Sequence, residues 1–148
     1  MSQAVAGDFQ ITVRMLTRPT GVHENSQAGL MVRESLDPSA RHALLCPDFS
    51  LLDVELKWRS VANESSDSEP VLPPEALQFP ITLRLTRRGQ TLSAELSRDD
   101  GKSFQPAGAP LTFDEPLPAT VYAGLAISAH NPQKITEAKF SGLEIRKR

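Results

Sequence analysis

Hydrophobic and polar residues alternate over several short stretches of this chain, which is the pattern of a β-strand with one buried face. Between residues 8 and 16, four apolar side chains fall on one side of the predicted strand: Phe9, Ile11, Val13 and Met15. The same alternation over 79–86 and 92–96 flanks Arg88-Gly89-Gln90, a sequence typical of a tight hairpin turn. These stretches therefore predict antiparallel strands.

Other stretches predict the inner strands of a sheet. Residues 27–35 and 121–128 are nearly continuous runs of apolar and small residues, so we expect both of their faces to be covered. Within 52–59, an apolar face opposes a wholly charged one. In the last predicted strand the apolar phase slips at Ser141-Gly142, which indicates a β-bulge.

Residues 60–78 are rich in Ser, Asp and Glu and contain three prolines, so they predict a long connecting loop. No stretch has the pattern of a convincing amphipathic helix. Together with 12 prolines and regular hairpin spacing, this predicts an all-β fold of two antiparallel sheets packed as a sandwich. A length of 148 residues fits a single domain over 1–148 that can bury a substantial core.

The amino-acid composition limits the kinds of partner that this chain is expected to bind. The net charge of −2, from 16 basic and 18 acidic residues, provides no field to attract nucleic acid or an anionic membrane. No apolar run is long enough to span a bilayer, and Met1 to Gly7 lacks the features of a signal peptide. The chain is expected to be soluble, and the sequence does not decide its compartment. The single Cys46 is expected to be a small buried apolar residue.

Residues 97–104 read Ser-Arg-Asp-Asp-Gly-Lys-Ser-Phe and match the turn known as an Asp box. We expect the Asp99 carboxylate to accept backbone N–H bonds across the turn and Gly101 to adopt a positive φ. Phe104 is expected to enter the core. A turn of this kind is a folding device, and one copy gives no indication of catalysis.

Several motifs together resemble a known family. They are G-L-M-V-R-E-S-L at 29–36, V-E-L-K-W-R-S at 54–60, L-R-L-T-R-R-G at 83–89, the Asp-box hairpin, and A-T-V-Y-A-G-L-A-I-S-A-H-N at 119–131. Their order and spacing over most of residues 7–146 are similar to the small concanavalin A-like, laminin-G-like jelly-roll domains of secreted bacterial proteins. Such accessory domains often stand beside carbohydrate-active catalytic domains. The resemblance implies two antiparallel sheets, one of them concave, a non-catalytic role in binding glycans or surfaces, and an extracellular or cell-envelope location.

Two features of the sequence depart from this resemblance. Family members commonly have further strands before the segment that begins at Gly7, whereas only Met1 to Ala6 precede it here. Pro47-Asp48-Phe49 also replaces the usual glycine-rich turn after Cys46. The first departure predicts an open sheet edge, which invites pairing with a neighbouring domain or a second copy of the chain.

Five polar residues match recurrent polar positions of the family and are the candidate ligand-binding residues: Arg33, Arg59, Arg84, His130 and Asn131. On one interpretation they form a patch on the concave sheet, where guanidinium groups and an imidazole bind sugar hydroxyls or a carboxylate. On the other interpretation the arginines pair internally.

On the internal interpretation, Arg33 or Arg84 forms an ion pair with Glu34, Glu55 or Asp53. Such pairs would fix the register of the strands. Strand alternation sends Arg33 and Glu34 to opposite faces, so we expect Arg33 on the concave side and Glu34 as a partner in register. Trp58 alternates with Leu56 and is expected in the core.

Catalysis is not expected. Hydrolases of this fold carry an E-x-D-x-x-E strand, whose two glutamates act as acid and nucleophile. Here the nearest equivalent is Asp53-Val54-Glu55-Leu56, in which the pair of glutamates is incomplete.

No cofactor or zinc site is expected, because His23, His42 and His130 are scattered over the chain. A loop-bound calcium ion would need carboxylates to converge with carbonyl oxygens, and the candidate carboxylates are Asp48 with Asp53, or Asp99 with Asp100. Two hypotheses for function remain: a non-catalytic module that binds carbohydrate or a cell-surface ligand, and a structural module that assembles through an exposed sheet edge.

Overall fold

A computed structural model describes residues 2–16, 27–37, 40–47, 54–59, 67–71, 80–107, 110–113, 115–128 and 140–147. These residues form strands and turns without any helix. The strands are β1 (Ser2–Ala6), β2 (Phe9–Met15), β3 (Gln27–Arg33), β4 (His42–Pro47), β5 (Val54–Arg59), β6 (Asp67–Val71), β7 (Ile81–Arg88), β8 (Thr91–Ser97), β9 (Gln105–Pro106), β10 (Leu111–Thr112), β11 (Thr120–Ser128) and β12 (Phe140–Lys147). In this part of the chain, no helix could cross a membrane.

The strands form two antiparallel sheets. Sheet I has six strands in the order β1-β11-β3-β4-β5-β6, and sheet II has the order β10-β8-β7-β2-β12, with β9 paired to β8. In sheet I, β3 to β6 follow one another in the sequence, whereas β11 pairs with the distant strands β1 and β3. In sheet II, β2 pairs with the distant strands β7 and β12, so the chain crosses repeatedly between the two sheets. The predicted all-β sandwich of two antiparallel sheets is confirmed.

The core lies between the sheets and follows the predicted alternation. In β2 the four apolar residues of the predicted face are all 0% exposed: Phe9, Ile11, Val13 and Met15. Leu83 and Leu85 of β7 and Leu30 and Val32 of β3 meet them from both sheets. Trp58 also packs against this core, as predicted. Burial of these side chains is the main favourable contribution to folding, at roughly 25 cal/mol per Å² of apolar surface.

The loop predicted over 60–78 is wrong in part, and both ends of sheet I have a strand that the sequence did not predict. Residues 67–71, which were predicted as part of a loop over 60–78, form the edge strand β6 against β5. Pro70 argues against a strand in the sequence, because proline has no backbone N–H to donate. An edge strand tolerates proline, since one side of its backbone needs no partner. At the other end, Ser2–Ala6 forms a strand ahead of Gly7 and pairs with β11 over five residues. The remainder of the predicted loop lies outside the described residues.

The predicted bulge in the last strand is confirmed. The register between β12 and β2 shifts between Ser141 and Glu144, and Gly142 has a φ of 64°. The predicted central positions of β3 and β11 are also confirmed, because each has a strand paired on both sides. Gly29 of β3 is required at its position, since a Cβ atom there would lie 2.0 Å from the carbonyl oxygen of Leu45.

Two buried arginines hold the segment 115–119, which leads into β11. Arg41, immediately before β4, donates to the carbonyl oxygens of Glu115 at 2.6 Å and Pro116 at 3.2 Å. Arg87 of β7 donates to the carbonyl oxygens of Leu117 at 3.4 Å and Pro118 at 2.8 Å. The segment is therefore tied to both sheets. Burial lowers the pKa of Arg87 from its usual value, although the charge of Asp8 opposes this shift.

Candidate functional site

Arg33 and Arg59 occupy neighbouring register positions on sheet I. Arg33 pairs with His42 of β4 and with Tyr122 of β11, and His42 pairs in turn with Arg59. Arg33 is half-buried and lies on the opposite side of β3 from the core residue Val32. Only the backbone position of Arg59 is described.

Arg33 is held in place by the loop that follows its own strand. Its Nη2 donates to the carbonyl oxygen of Asp37. Among the described residues its Nε, which is buried, has no acceptor. Arg33 is not ion-paired to Glu34, as the predicted alternation requires.

Glu34 pairs instead with Arg41. The Nε of Arg41 donates to Oε2 of Glu34 at 2.8 Å, and the backbone N–H of Arg41 donates to Oε1 at 3.2 Å. The side-chain hydrogen bond from Arg41 is the main cause that lowers the pKa of Glu34 from its usual value of 4.5, and burial opposes it. Glu34 and Arg41 therefore form an ion pair between the end of β3 and the start of β4, with a partner for Glu34 that the sequence did not indicate.

The outer side of sheet I is partly covered. In β4, Leu45 faces the core, while its neighbours Leu44 and Cys46 point to the other side and are nevertheless 0% and 1% exposed. Both sides of this strand are therefore buried. Half-buried residues on this face include the row that contains Arg33, His42 and Tyr122.

Arg84 lies on the other sheet, so the prediction of one patch that combines Arg33, Arg59 and Arg84 is wrong. It belongs to β7, and its side chain lies on the outer side of sheet II, opposite the core residues Leu83 and Leu85. Strand alternation is local and cannot show which sheet a strand joins. His130 and Asn131 lie outside the described residues.

The guanidinium of Arg84 is fixed by two neighbours. Its Nε and Nη2 donate to the two carboxylate oxygens of Glu95 at 3.1 and 3.0 Å, which is the bidentate geometry of a strong charge-assisted pair. Its Cζ lies 3.6 Å from the centroid of the Phe104 ring. Phe104 therefore stacks on the outer face and does not enter the core, which corrects the prediction for this residue.

Arg84 pairs internally, as one of the two sequence interpretations required, but with none of the partners proposed for it. Glu95 could have been found from the hairpin. A turn at Gly89-Gln90 that pairs Arg88 with Thr91 also places Glu95 opposite Arg84. No pattern in the sequence indicated the position of Phe104, because that position depends on how the turn over 97–103 folds back over the sheet.

That turn, 97–103, is closed by hydrogen bonds to Asp99. Its Oδ1 accepts from the N–H of Ser103 at 2.8 Å and from the hydroxyl of Ser97 at 2.7 Å. The side-chain and backbone hydrogen bonds from Ser103, followed by that from Ser97, lower the pKa of Asp99 to about 2. Gly101 has a φ of 84°, as predicted. The turn places Asp100 and Phe104 beside the outer face of sheet II.

Two adjoining depressions, of about 500 Å³ and about 350 Å³, lie on this outer face and share Gln10 and Arg84. We refer to them together as the trough. The larger depression extends over β7 and β8, and its polar or proline lining includes Thr86, Arg88, Ser93, Glu95, Pro106 and Pro110. The smaller one extends over β2 and β12, and its lining includes Thr12, Arg14, Thr82, Asp100, Gly142, Glu144 and Arg146.

Charges in the trough are largely paired. Besides Arg84 with Glu95, the Nε of Arg14 lies 2.8 Å from a carboxylate oxygen of Asp100, and Arg146 pairs with Glu144. Arg88 also lines the trough, so the lining has four arginines and three carboxylates, and the trough offers hydrogen-bond donors and acceptors side by side with a net charge of +1. The residues that line it include no histidine or cysteine. The chemistry available is hydrogen bonding and ion pairing.

Metal coordination has no support in the described part of the chain, where no three histidine, cysteine, aspartate or glutamate side chains come together as ligands. Asp99 and Asp100, one of the two carboxylate pairs considered for calcium, are occupied by Ser103 and by Arg14. The other pair, Asp48 with Asp53, lies outside the described residues.

Comparison with models of protein families gave no match, and neither did comparison with curated protein sequences. Solved structures did match. A protein of unknown function from Saccharomyces cerevisiae is 18% identical, with a TM-score of 0.72 over 100% of this chain and 74% of that one. Sheep galectin-11, in complex with glycerol, is 8% identical, with a TM-score of 0.57 over 98% of this chain and 96% of the galectin.

A GH43 glycoside hydrolase, engineered to display endo-xylanase and exo-arabinofuranosidase activity, is 11% identical with a TM-score of 0.61. The match covers 95% of this chain but only 29% of the hydrolase, so this chain corresponds to less than a third of that protein. At these identities the similarity concerns the fold alone. The chain has the jelly-roll β-sandwich fold that galectins and part of the GH43 enzyme share.

Proposed function

We propose that this domain is a non-catalytic binding module whose ligand is a carbohydrate, bound in the trough on the outer face of sheet II. One observation carries the proposal: a guanidinium immobilised by Glu95 and Phe104 lines both depressions of the trough, together with the amide of Gln10 and, in the larger depression, the hydroxyls of Thr86 and Ser93. The similarity in fold to a galectin and to a glycoside hydrolase supports the class of ligand. It says nothing about the position of the site.

The chemistry of the trough suits a ligand with many hydroxyl groups. Each sugar hydroxyl both donates and accepts a hydrogen bond, and a paired arginine and carboxylate supply both functions next to each other. The pair with Glu95 uses Nε and Nη2 of Arg84, and no hydrogen bond joins its Nη1 to another described residue. Because the guanidinium is already fixed, binding costs little additional side-chain entropy.

The test is affinity gel electrophoresis with a panel of neutral polysaccharides. The Arg84→Met variant should abolish the retardation shown by the unmodified protein, while Arg98→Met should leave it unchanged, since Arg98 is exposed and lies outside the trough. Comparable thermal unfolding of both variants would show that the fold is intact. If no polysaccharide retards the unmodified protein, the proposed function is wrong.

The Arg33→Met variant distinguishes binding in the trough from binding at the row of Arg33, His42 and Tyr122 on sheet I. That row also carries polar groups, and the outer side of sheet I was the surface first expected from the sequence. If Arg33→Met abolishes retardation and Arg84→Met does not, then the module binds carbohydrate on sheet I and the trough is not the site.

A second candidate function is self-association through β1, which a comparison of the sheet edges favours. Edge strands usually carry devices that prevent pairing with other chains, such as proline, charges or bulges. The edge strand β6 contains Pro70, and β12 contains the bulge and three charged residues. β1 reads Ser-Gln-Ala-Val-Ala and has no such device.

Two copies of β1 paired antiparallel would place no like charges opposite each other. Light scattering coupled to size-exclusion chromatography should then show a dimer whose proportion rises with concentration. Gln3→Lys should abolish the dimer without changing thermal stability, because Gln3 is exposed and a lysine on each edge would repel the other. A monomer at high concentration of the unmodified protein would overturn this second candidate.

A further inference from the structure

The two depressions of the trough meet at its centre. Both include Gln10 and Arg84 in their lining, so a molecule that contacts the Arg84 guanidinium lies at the junction and can extend in either direction. The structure thus provides a site with a central contact and two arms. A site for one terminal sugar would need a single enclosed depression.

The length of the trough follows from the order of the strands. It crosses β8, β7, β2 and β12, which are consecutive in sheet II. Adjacent strands are separated by about 4.8 Å, so the trough extends over roughly 14 Å between the outer two strands. Each depression alone is comparable to a pocket for a small ligand, for which volumes of roughly 300 Å³ and above are typical.

The far end of the smaller depression is open. Gly142, which lines it, stands in the β12 bulge with a φ of 64°. Apart from its chain neighbours, no atom of the described residues lies within 4 Å of the position that a Cβ would occupy. The bulge therefore removes a side chain from the sheet at the point where the trough leaves β12. A chain that follows the trough can continue past this strand.

Polar groups recur along the whole length. The larger arm contains the Arg84 and Glu95 pair with the hydroxyls of Thr86 and Ser93. The smaller arm contains two further ion pairs, Arg14 with Asp100 and Arg146 with Glu144. Donors and acceptors that repeat in both arms match a ligand in which hydroxyl groups repeat, and the pairing of charges favours a neutral one.

We infer that the ligand is an extended neutral oligosaccharide that lies across four strands of sheet II, with one sugar at Arg84 and others in each arm. This inference rests on the proposed function and adds the length and charge of the ligand. It also assigns Arg146 and Ser93 as contacts at opposite ends of one bound chain.

The experiment is an NMR titration of the ¹⁵N-labelled domain with cello-oligosaccharides and xylo-oligosaccharides of one to six residues. Affinity should rise with length by at least about tenfold between the monosaccharide and the tetrasaccharide and then level off once the trough is filled. Amide shifts should appear in both arms for the longer sugars. Chemical-shift mapping on the unmodified protein needs no variant, so it remains informative if a substitution prevents folding.

Two variants test the arms separately. Arg146→Met should weaken the binding of a hexasaccharide while changing that of a disaccharide at Arg84 little, and Ser93→Ala should do the same from the other end. Monosaccharides that bind as tightly as hexasaccharides, or shifts confined to one arm, would overturn the inference while the carbohydrate-binding function stands. If an oligogalacturonate causes amide shifts and none of the neutral sugars does, then the ligand is anionic and the inference of a neutral ligand is wrong. If no carbohydrate causes any shift, the proposed function fails and the inference fails with it.

Discussion

Replacement of Arg41 by methionine should destabilise the domain, because this arginine joins three parts of the structure. Its side chain is only 9% exposed and donates to Glu34, Glu115 and Pro116. Methionine fills much of the same volume but donates no hydrogen bond. The substitution leaves the Glu34 carboxylate without its cation and two carbonyl oxygens without their donor.

The size of the effect follows from these contacts. Breaking a buried ion pair by removal of one partner costs about 3–5 kcal/mol. The Glu34 side chain keeps 21% exposure and can be hydrated in the variant, so we expect the lower end, about 3 kcal/mol. At roughly 3 °C per kcal/mol for a domain of this size, the melting temperature should fall by about 9 °C.

Urea denaturation followed by tryptophan fluorescence would measure the loss, with Arg98→Met as the matched control, because Arg98 is exposed in a turn. The Glu34→Gln/Arg41→Met double variant should lose less than the sum of the two single variants. The pair lowers the pKa of Glu34, so its contribution is complete above the ordinary value of 4.5 and disappears as the pH falls through the lowered pKa. A loss below about 1 kcal/mol at pH 7, or one independent of pH down to pH 2, would refute the reasoning.

Two further predictions concern the backbone and the turn. In thermal unfolding, Gly29→Ala should destabilise the domain more than Gly7→Ala. A Cβ at Gly29 would lie 2.0 Å from the Leu45 carbonyl oxygen, whereas Gly7 has open space and only a positive φ of 73°. Equal losses of stability would contradict the close approach at Gly29. Ser103→Ala should raise the pKa of Asp99 from about 2 towards its ordinary value of 3.8, as measured by NMR titration of the carboxyl carbon. The hydrogen bonds of the turn therefore contribute stability above pH 4 that is lost as the pH falls through about 2 in the unmodified protein, and an unchanged pKa in the variant would show that Ser103 does not cause the shift.

The strands that carry large apolar residues could be predicted from the sequence. In β2 and in the β7–β8 hairpin, alternation identifies the buried face residue by residue, because a side chain in a strand points to one side or the other. The bulge at Gly142 was predicted for the same reason, since an extra residue shifts the phase. β1 and β6 were not predicted, because small residues in one and proline in the other leave no alternation of large apolar side chains.

The candidate site could be predicted only in part. Arg84, a candidate from the sequence, lines the trough, but Phe104 was expected in the core and Arg33 was expected on the same surface. Which sheet a strand joins depends on pairings between distant parts of the sequence, and local patterns contain no information about them. The contacts of the buried residues Arg41 and Arg87 with 115–119 were missed for a related reason: the acceptors there are backbone carbonyl groups about 30 or more residues away, which no residue type marks.

The contacts of these two arginines have a consequence for how this protein can change over evolution or in design. Arg41 and Arg87 bind residues 115–119 through main-chain oxygens, which every amino acid possesses. The side chains of Glu115, Pro116 and Pro118 are exposed and take no part in these bonds. The identity of these three residues is therefore free to vary while the path of the chain is kept, which makes this segment a suitable place to graft a new recognition sequence onto the sandwich.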